Sequence, residues 1–219
     1  DMFQIVPDHV PCNGLNAQLG VAFYQYKHTG GRVNDPTQPG LYDWTAPEFQ
    51  QKGNTIIDID PGATIKTALV ADYEELVVTG KLDYAYSYPV RIILTGDYVK
   101  NIGFDREEVA LRTGLDVSEV EEAIEGYRIG LSVGNPKVRA FGEWNLYTYY
   151  KYLESDAVID AFTDSDFHLG GTNAKGWVLG VDYGLHKDIW LSAKWITSDE
   201  IDGPPLSVDT LQMDVNARY

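Results

Sequence analysis

The sequence predicts an all-β protein, an antiparallel up-and-down transmembrane β-barrel with about eight strands in this chain, standing alone or contributing to a larger barrel of about sixteen. Three observations predict it. Apolar and polar residues alternate with a period of two over about eight runs. The connections between those runs alternate strictly between short and long. Aromatic residues gather toward the ends of the apolar faces, where an amphipathic ring would meet lipid headgroups.

The runs are 15–27, 74–87, 90–100, 126–134, 139–153, 175–185, 189–198 and 208–219. Successive strand residues point to opposite faces, so each run divides into two sets. The second sets Leu76, Val78, Leu82, Tyr84 and Tyr86 against Val77, Thr79, Lys81, Asp83 and Ala85. The third sets Val90, Ile92, Leu94 and Tyr98 against Arg91, Ile93, Thr95 and Asp97. The fourth opposes Tyr127, Ile129, Leu131 and Val133 to Arg128, Gly130 and Ser132. In the fifth, Trp144, Tyr150 and Tyr152 face away from Tyr147 and Tyr149. The sixth opposes Trp177, Leu179, Val181, Tyr183 and Leu185 to Val178, Gly180, Asp182 and Gly184. The last opposes Leu211, Met213, Val215, Ala217 and Tyr219 to Thr210, Gln212, Asp214, Asn216 and Arg218.

The long connections are 28–73, 101–125, 154–174 and 199–207, and the tight ones are 88–89, 135–138 and 186–188. A meander places its turns on alternate ends, so all tight turns fall on one side, as in outer-membrane barrels with short periplasmic turns and long external loops. Tyr88-Pro89, Gly134-Asn135-Pro136-Lys137 and His186-Lys187-Asp188 suit the tight end. The stretch 105–125, DREEVALRTGLDVSEVEEAIE, breaks the alternation. It reads as one or two short helices capped by Asp116 or Ser118, a solvated acidic element within a loop.

Composition narrows the function. One domain spanning 1–219 is expected. With 33 acidic against 17 basic residues and a formal charge of −16, the chain repels phosphate backbones, so nucleic acid is not a partner. Cys12 is the sole cysteine, which excludes an internal disulfide and a tetrathiolate zinc site. His9, His28, His168 and His186 share no metal-binding spacing. No apolar run approaches the ~18 residues of a membrane helix. The opening DMFQIVPDHVP lacks a signal-peptide pattern, so a mature or trimmed start is expected. No GxSxG motif or nucleophile–histidine order is present, and GGTN lacks a phosphate-loop context, so the chain is not expected to be an enzyme.

Three blocks then resemble a known family: GEWNLYTYYKYLESDAVIDAFTDSDF, HLGGTNAKGWVLGVDYGLHKDIWLSAKW and LQMDVNARY. LTGDYVKN at 94–101 and GYRIGLSVG at 126–134 add to them, and DSDF…GGTNAKG at 164–176 is the most specific. The chain resembles the C-terminal half of a member of the putative porin family of bacterial outer membranes, best over about 142–219. The resemblance implies a barrel in the outer membrane of Gram-negative bacteria that passes small solutes by diffusion. It also implies the lipid bilayer and the barrel-assembly machinery as partners and a homo-oligomer, a trimer. Tyr219 would be an interfacial anchor and an assembly signal. The acidic insertion at 105–125 departs from the family pattern.

The candidate pore-lining set is Lys81, Asp83, Arg91, Asp97, Arg128, Glu143, Lys151, Asp182, Lys194, Asp214 and Arg218. Mixed charges on an interior wall either tune ion selectivity or pair across strands and brace the wall. Asp156, Asp160, Asp164 and Asp166 read as a solvated acidic loop, with Asp58 and Asp60 as a second. Asp164 and Asp166 are weak calcium candidates, since calcium takes about six to eight oxygens and no calcium-loop pattern is present. No other cofactor is expected. The sequence thus reads as a porin-like outer-membrane channel for small hydrophilic solutes or ions. Two alternatives stand beside it: a non-conducting barrel acting through its loops as anchor, adhesin or ligand-binding module, and a soluble acidic β-domain.

Overall fold

Alternation with a period of two does produce one long meander in the computed structural model, which describes residues 10–12, 14–31, 33–34, 52–58, 67–87 and 89–218. In chain order the elements are β1 (Val10–Cys12), β2 (Leu15–Tyr26), β3 (Val33–Asn34), β4 (Ile56–Asp58), β5 (Thr67–Leu69), β6 (Tyr73–Ser87), β7 (Val90–Asn101), α1 (Arg106–Thr113), β8 (Glu125–Gly134), β9 (Trp144–Leu153), β10 (Ala174–His186), β11 (Ile189–Glu200) and β12 (Ser207–Ala217). A nine-stranded sheet runs β1-β2-β6-β7-β8-β9-β10-β11-β12, each neighbour antiparallel to the next. The strands β3, β5 and β4 form a small separate sheet within the first long loop, which the sequence pattern does not foreshadow.

Register keeps the two sequence faces apart across the whole sheet. Val21 lies opposite Val78, Val78 opposite Tyr98, Tyr98 opposite Tyr127 and Tyr127 opposite Tyr152. A slip of one residue would have mixed the sets. One strand is shorter than its periodicity suggests: β9 starts at Trp144, not at 139. Asn135 and Trp144 exchange the hydrogen bonds that close a wide turn, Asn135 N–H to Trp144 O at 2.7 Å and Trp144 N–H to Asn135 Oδ1 at 3.2 Å. Residues 135–143 therefore form a turn broader than 135–138, while remaining shorter than the loops 102–124 and 154–173 at the opposite end.

Barrel closure is not seen among the described residues. There β12 pairs only with β11, and the three-residue β1 pairs only with β2. The sheet is open, because no described strand of matching length meets the outer edge of β12.

At the loop end a second core forms. Leu69, Val70, Ala71 and Tyr73 pack with Val109 and Ala110 of α1, Val120 and Ile159, so the first three long loops share one apolar cluster. Asp105 caps α1, its Oδ1 accepting from Glu107 N–H at 2.8 Å and Glu108 N–H at 3.2 Å. Asp116 caps a separate single turn of 3-10 helix, Val117–Glu119, and its N–H donates to Glu119 Oε2 at 3.2 Å. The α1 helix is acidic toward solvent, yet Arg112 donates to Val70 O at 2.7 Å and pairs with Asp72 at 3.4 Å. The Asp72 carboxyl is pushed up by burial, but the Gly30 N–H and the Arg112 guanidinium outweigh that and hold it below the usual carboxylate range.

Candidate functional site

Rows of paired residues run across the polar face. One reads Thr79, Asp97, Arg128, Lys151, Gly176 and Ser198; another reads Asp83, Ile93, Ser132, Tyr147, Gly180, Lys194 and Gln212. Lys81, Asp83, Arg91, Asp97, Arg128, Lys151, Asp182, Lys194 and Asp214 all share this face. Two candidates sit elsewhere. Glu143 lies in the turn before β9, where its carboxylate accepts from Arg139 N–H at 2.7 Å and Ala140 N–H at 3.0 Å. Arg218 lies just beyond β12, its N–H donating to Asp188 O at 2.9 Å. Tyr219 and Asp60 lie outside the described residues.

Most of these charges are paired across neighbouring strands. Arg91 Nε donates to Asp83 at 2.7 Å, with Lys81 at 3.9 Å from the same carboxylate. Arg128 holds Asp97 through Nη2 at 2.7 Å and Nε at 2.9 Å, and its guanidinium lies 5.6 Å from the centre of the Tyr149 ring. Ser192 donates to Asp182 at 2.5 Å and accepts from Asn216 Nδ2 at 3.1 Å. Such pairs fix side-chain positions more than they stabilise the fold where water reaches them.

The 154–173 loop comes down onto this face. Phe167, only 1% exposed, packs against Ala174, Val178 and Ile196, with Tyr147 and Tyr149 alongside. The Lys151 ammonium lies 4.7 Å from the centre of its ring. Beside it, Lys194 Nζ donates to Asp166 Oδ2 at 3.0 Å, and the Lys194 ammonium and Gln212 amide hold the Asp166 carboxyl below its ordinary value. Gly180 leaves room here for the Tyr147 ring, which lies over it and would have to shift to admit a Cβ at that position. Asp166 is thus committed to a lysine, and Asp164 Oδ1 accepts Asp166 N–H at 3.0 Å. Among the described residues no group of three His, Cys, Asp or Glu side chains is placed to hold a metal.

The loop is anchored by residues that the sequence pattern alone places in solvent. Asp156 is 3% and Asp160 2% exposed. Asp156 accepts from Thr55 N–H at 3.0 Å, Thr55 Oγ1 at 2.6 Å and Tyr73 OH at 2.9 Å, while its backbone O accepts from Asn101 Nδ2 at 3.0 Å. Burial pushes its carboxyl up, and the hydrogen bonds from Thr55 and Tyr73 only partly offset this. A second anchor is His168, fully buried between Ser198 Oγ at 3.0 Å and Glu200 Oε2 at 3.1 Å, with Lys52 bonded to both His168 and Glu200. Gly171 lets the Lys52 backbone approach closer than any side chain would allow, at a φ of +93°. The only local signal for these anchors is the polar density of the segment, which does not distinguish solvent from a buried network.

The other face is apolar and uncovered. Leu146 is 54% exposed, Met213 66% and Val215 72%, and Leu82, Leu94, Ile129, Leu179 and Val181 are exposed beside them. Soluble monomers rarely expose an apolar face that runs on across so many neighbouring strands. Rings edge it at both ends. Tyr127 stacks on Tyr152 with centroids 5.3 Å apart, and Tyr150 meets Trp177 at 5.1 Å, near the loops. Tyr84, Trp144 and Tyr183 lie toward the tight turns. Tyr152 and Trp144 are eight residues apart on β9, about 27 Å along an extended strand. A tilt of about 40° would shorten this to about 21 Å, close to the ~25 Å apolar band of outer-membrane barrels. No described helix is long and apolar enough to cross a membrane.

An antiparallel meander with a ring-edged apolar face and a charged, hydrogen-bonded opposite face defines the class of membrane proteins that cross the bilayer with strands. The chain belongs to the putative porin family, whose profile matches residues 4–219, nearly its whole length. Comparison with curated proteins gave no significant match, and neither did comparison with solved structures.

Proposed function

We propose that the protein is a porin-like channel of the bacterial outer membrane, passing small hydrophilic solutes or ions down their gradients. In this reading the apolar face lies in lipid, the sheet is completed to a closed barrel, and the polar face becomes the wall of a water-filled lumen. The observation that carries it is the 154–173 loop seated on the polar face through Phe167, Asp166 and Lys194. A loop held there by buried contacts would narrow a lumen and bring its charges to bear on passing solutes. Arg91, Arg128, Lys194 and their aspartate partners are the residues assigned to selectivity.

The test is swelling of proteoliposomes in isosmotic solutions of small sugars, using protein whose fold is verified by a heat-modifiable gel shift. Swelling that slows steadily with increasing sugar size supports the reading. No swelling from verified folded protein would overturn it.

A further inference from the structure

Between the polar face and the 154–173 loop lies a cavity of about 330 Å³ that the wall charges described above do not explain. Its sides are apolar, from Val77, Val99, Leu153 and Val158. Two of the charged groups that line it are poorly satisfied. Glu75 is 6% exposed, and among the described residues the one hydrogen bond its carboxylate accepts, from Ile159 N–H, is long at 3.4 Å. Lys151 rests its ammonium on the Phe167 ring and has no carboxylate within ion-pair distance among the described residues, that of Asp164 included. Asp97 and Arg128 also line the cavity, but they neutralise each other.

A buried carboxylate and a half-buried ammonium that do not reach each other are costly in isolation. A solute carrying the opposite charge at each end would satisfy both. We infer that this cavity binds a short zwitterionic peptide, its carboxylate on Lys151, its ammonium on Glu75 and its body along the apolar sides. The spacing favours a peptide over a free amino acid. Glu75 on β6 and Lys151 on β9 are three strand spacings apart, about 14 Å across the sheet. The register, which lines Lys151 up with Arg128, Asp97 and Thr79, offsets Glu75 by four more residues, roughly 13 Å along the strands, before the side chains reach inward. The two charges of an α-amino acid are borne by one carbon and its immediate neighbour, too close together to meet both groups. The inference rests on the porin reading in taking this peptide as a solute that the channel admits.

The probe is trialanine, titrated calorimetrically into folded protein in detergent and compared with N-acetyl-trialanine and trialanine amide, which each lack one terminal charge. Trialanine should bind, and each capped form should bind about tenfold more weakly or worse. Lys151→Gln should lose the preference for the free carboxylate, and Glu75→Gln the preference for the free ammonium. Equal binding of all three peptides to the unmodified protein, or no heat from trialanine, would overturn the inference even if a variant failed to fold. Trialanine binding in protein that gives no conductance would sustain the site while overturning the channel reading.

Discussion

Arg128 shows what a single side chain does on the polar face. Its two short bonds to Asp97 and its place over Tyr149 fix a cation at one point of the wall. Both partners are substantially solvated, so removing the charge costs under about 1 kcal/mol of stability. Its effect should appear in permeation instead: Arg128→Gln should move the reversal potential in a salt gradient toward cation preference while leaving the gel shift intact. Asp156 is the opposite case. Buried and meeting three donors, it acts on structure. Asp156→Ala strands those donors and should cost about 3 kcal/mol of loop-end stability. Limited proteolysis should then cut within 52–58 or 154–173, with the strands protected. Asp156→Asn keeps acceptor capacity at the same site and should be cut more slowly.

Among the elements, the strands are legible in the sequence and the loop end is not. Alternation places β2, β6, β7, β8, β10, β11 and β12 within a residue or two, because a strand's faces are a local property of its sequence. The same rule overruns at β9: in R-A-F-G-E-W, Ala140, Gly142 and Trp144 oppose Arg139 and Glu143 and extend the pattern except at Phe141, yet Glu143 turns back to accept from the Arg139 and Ala140 N–H groups. Polar-face placement follows directly from parity, which is why most of the candidate wall charges share one face. The small β3-β5-β4 sheet, the Asp156 hub and the His168 clamp are different. They depend on contacts between distant segments, as Thr55 and Asp156 show, and no local pattern encodes them. The 154–173 loop reads as long and acidic, but its inward course depends on Phe167 finding Val178 and Ile196. Replacing that ring tests the element: Phe167→Ala removes about 3–5 kcal/mol of buried contact, frees the loop and should raise single-channel conductance. Unchanged conductance would mean that the loop does not narrow the path.

For the whole molecule, the two faces make opposite demands on their surroundings. Trp177 and Trp195 project from the apolar face, and Trp190 shares the polar face with Asn216. In bilayers of brominated lipid, proteins retaining only Trp177 or only Trp195 should be strongly quenched, while one retaining only Trp190 should not. Equal quenching of all three would disprove the assignment of lipid and water sides. The central claim remains that the polar face lines a water-filled path. Reconstitution of the folded protein into planar bilayers tests it most directly. Discrete, reproducible conductance steps are the predicted result, and silent bilayers from protein with a verified heat-modifiable shift would contradict it.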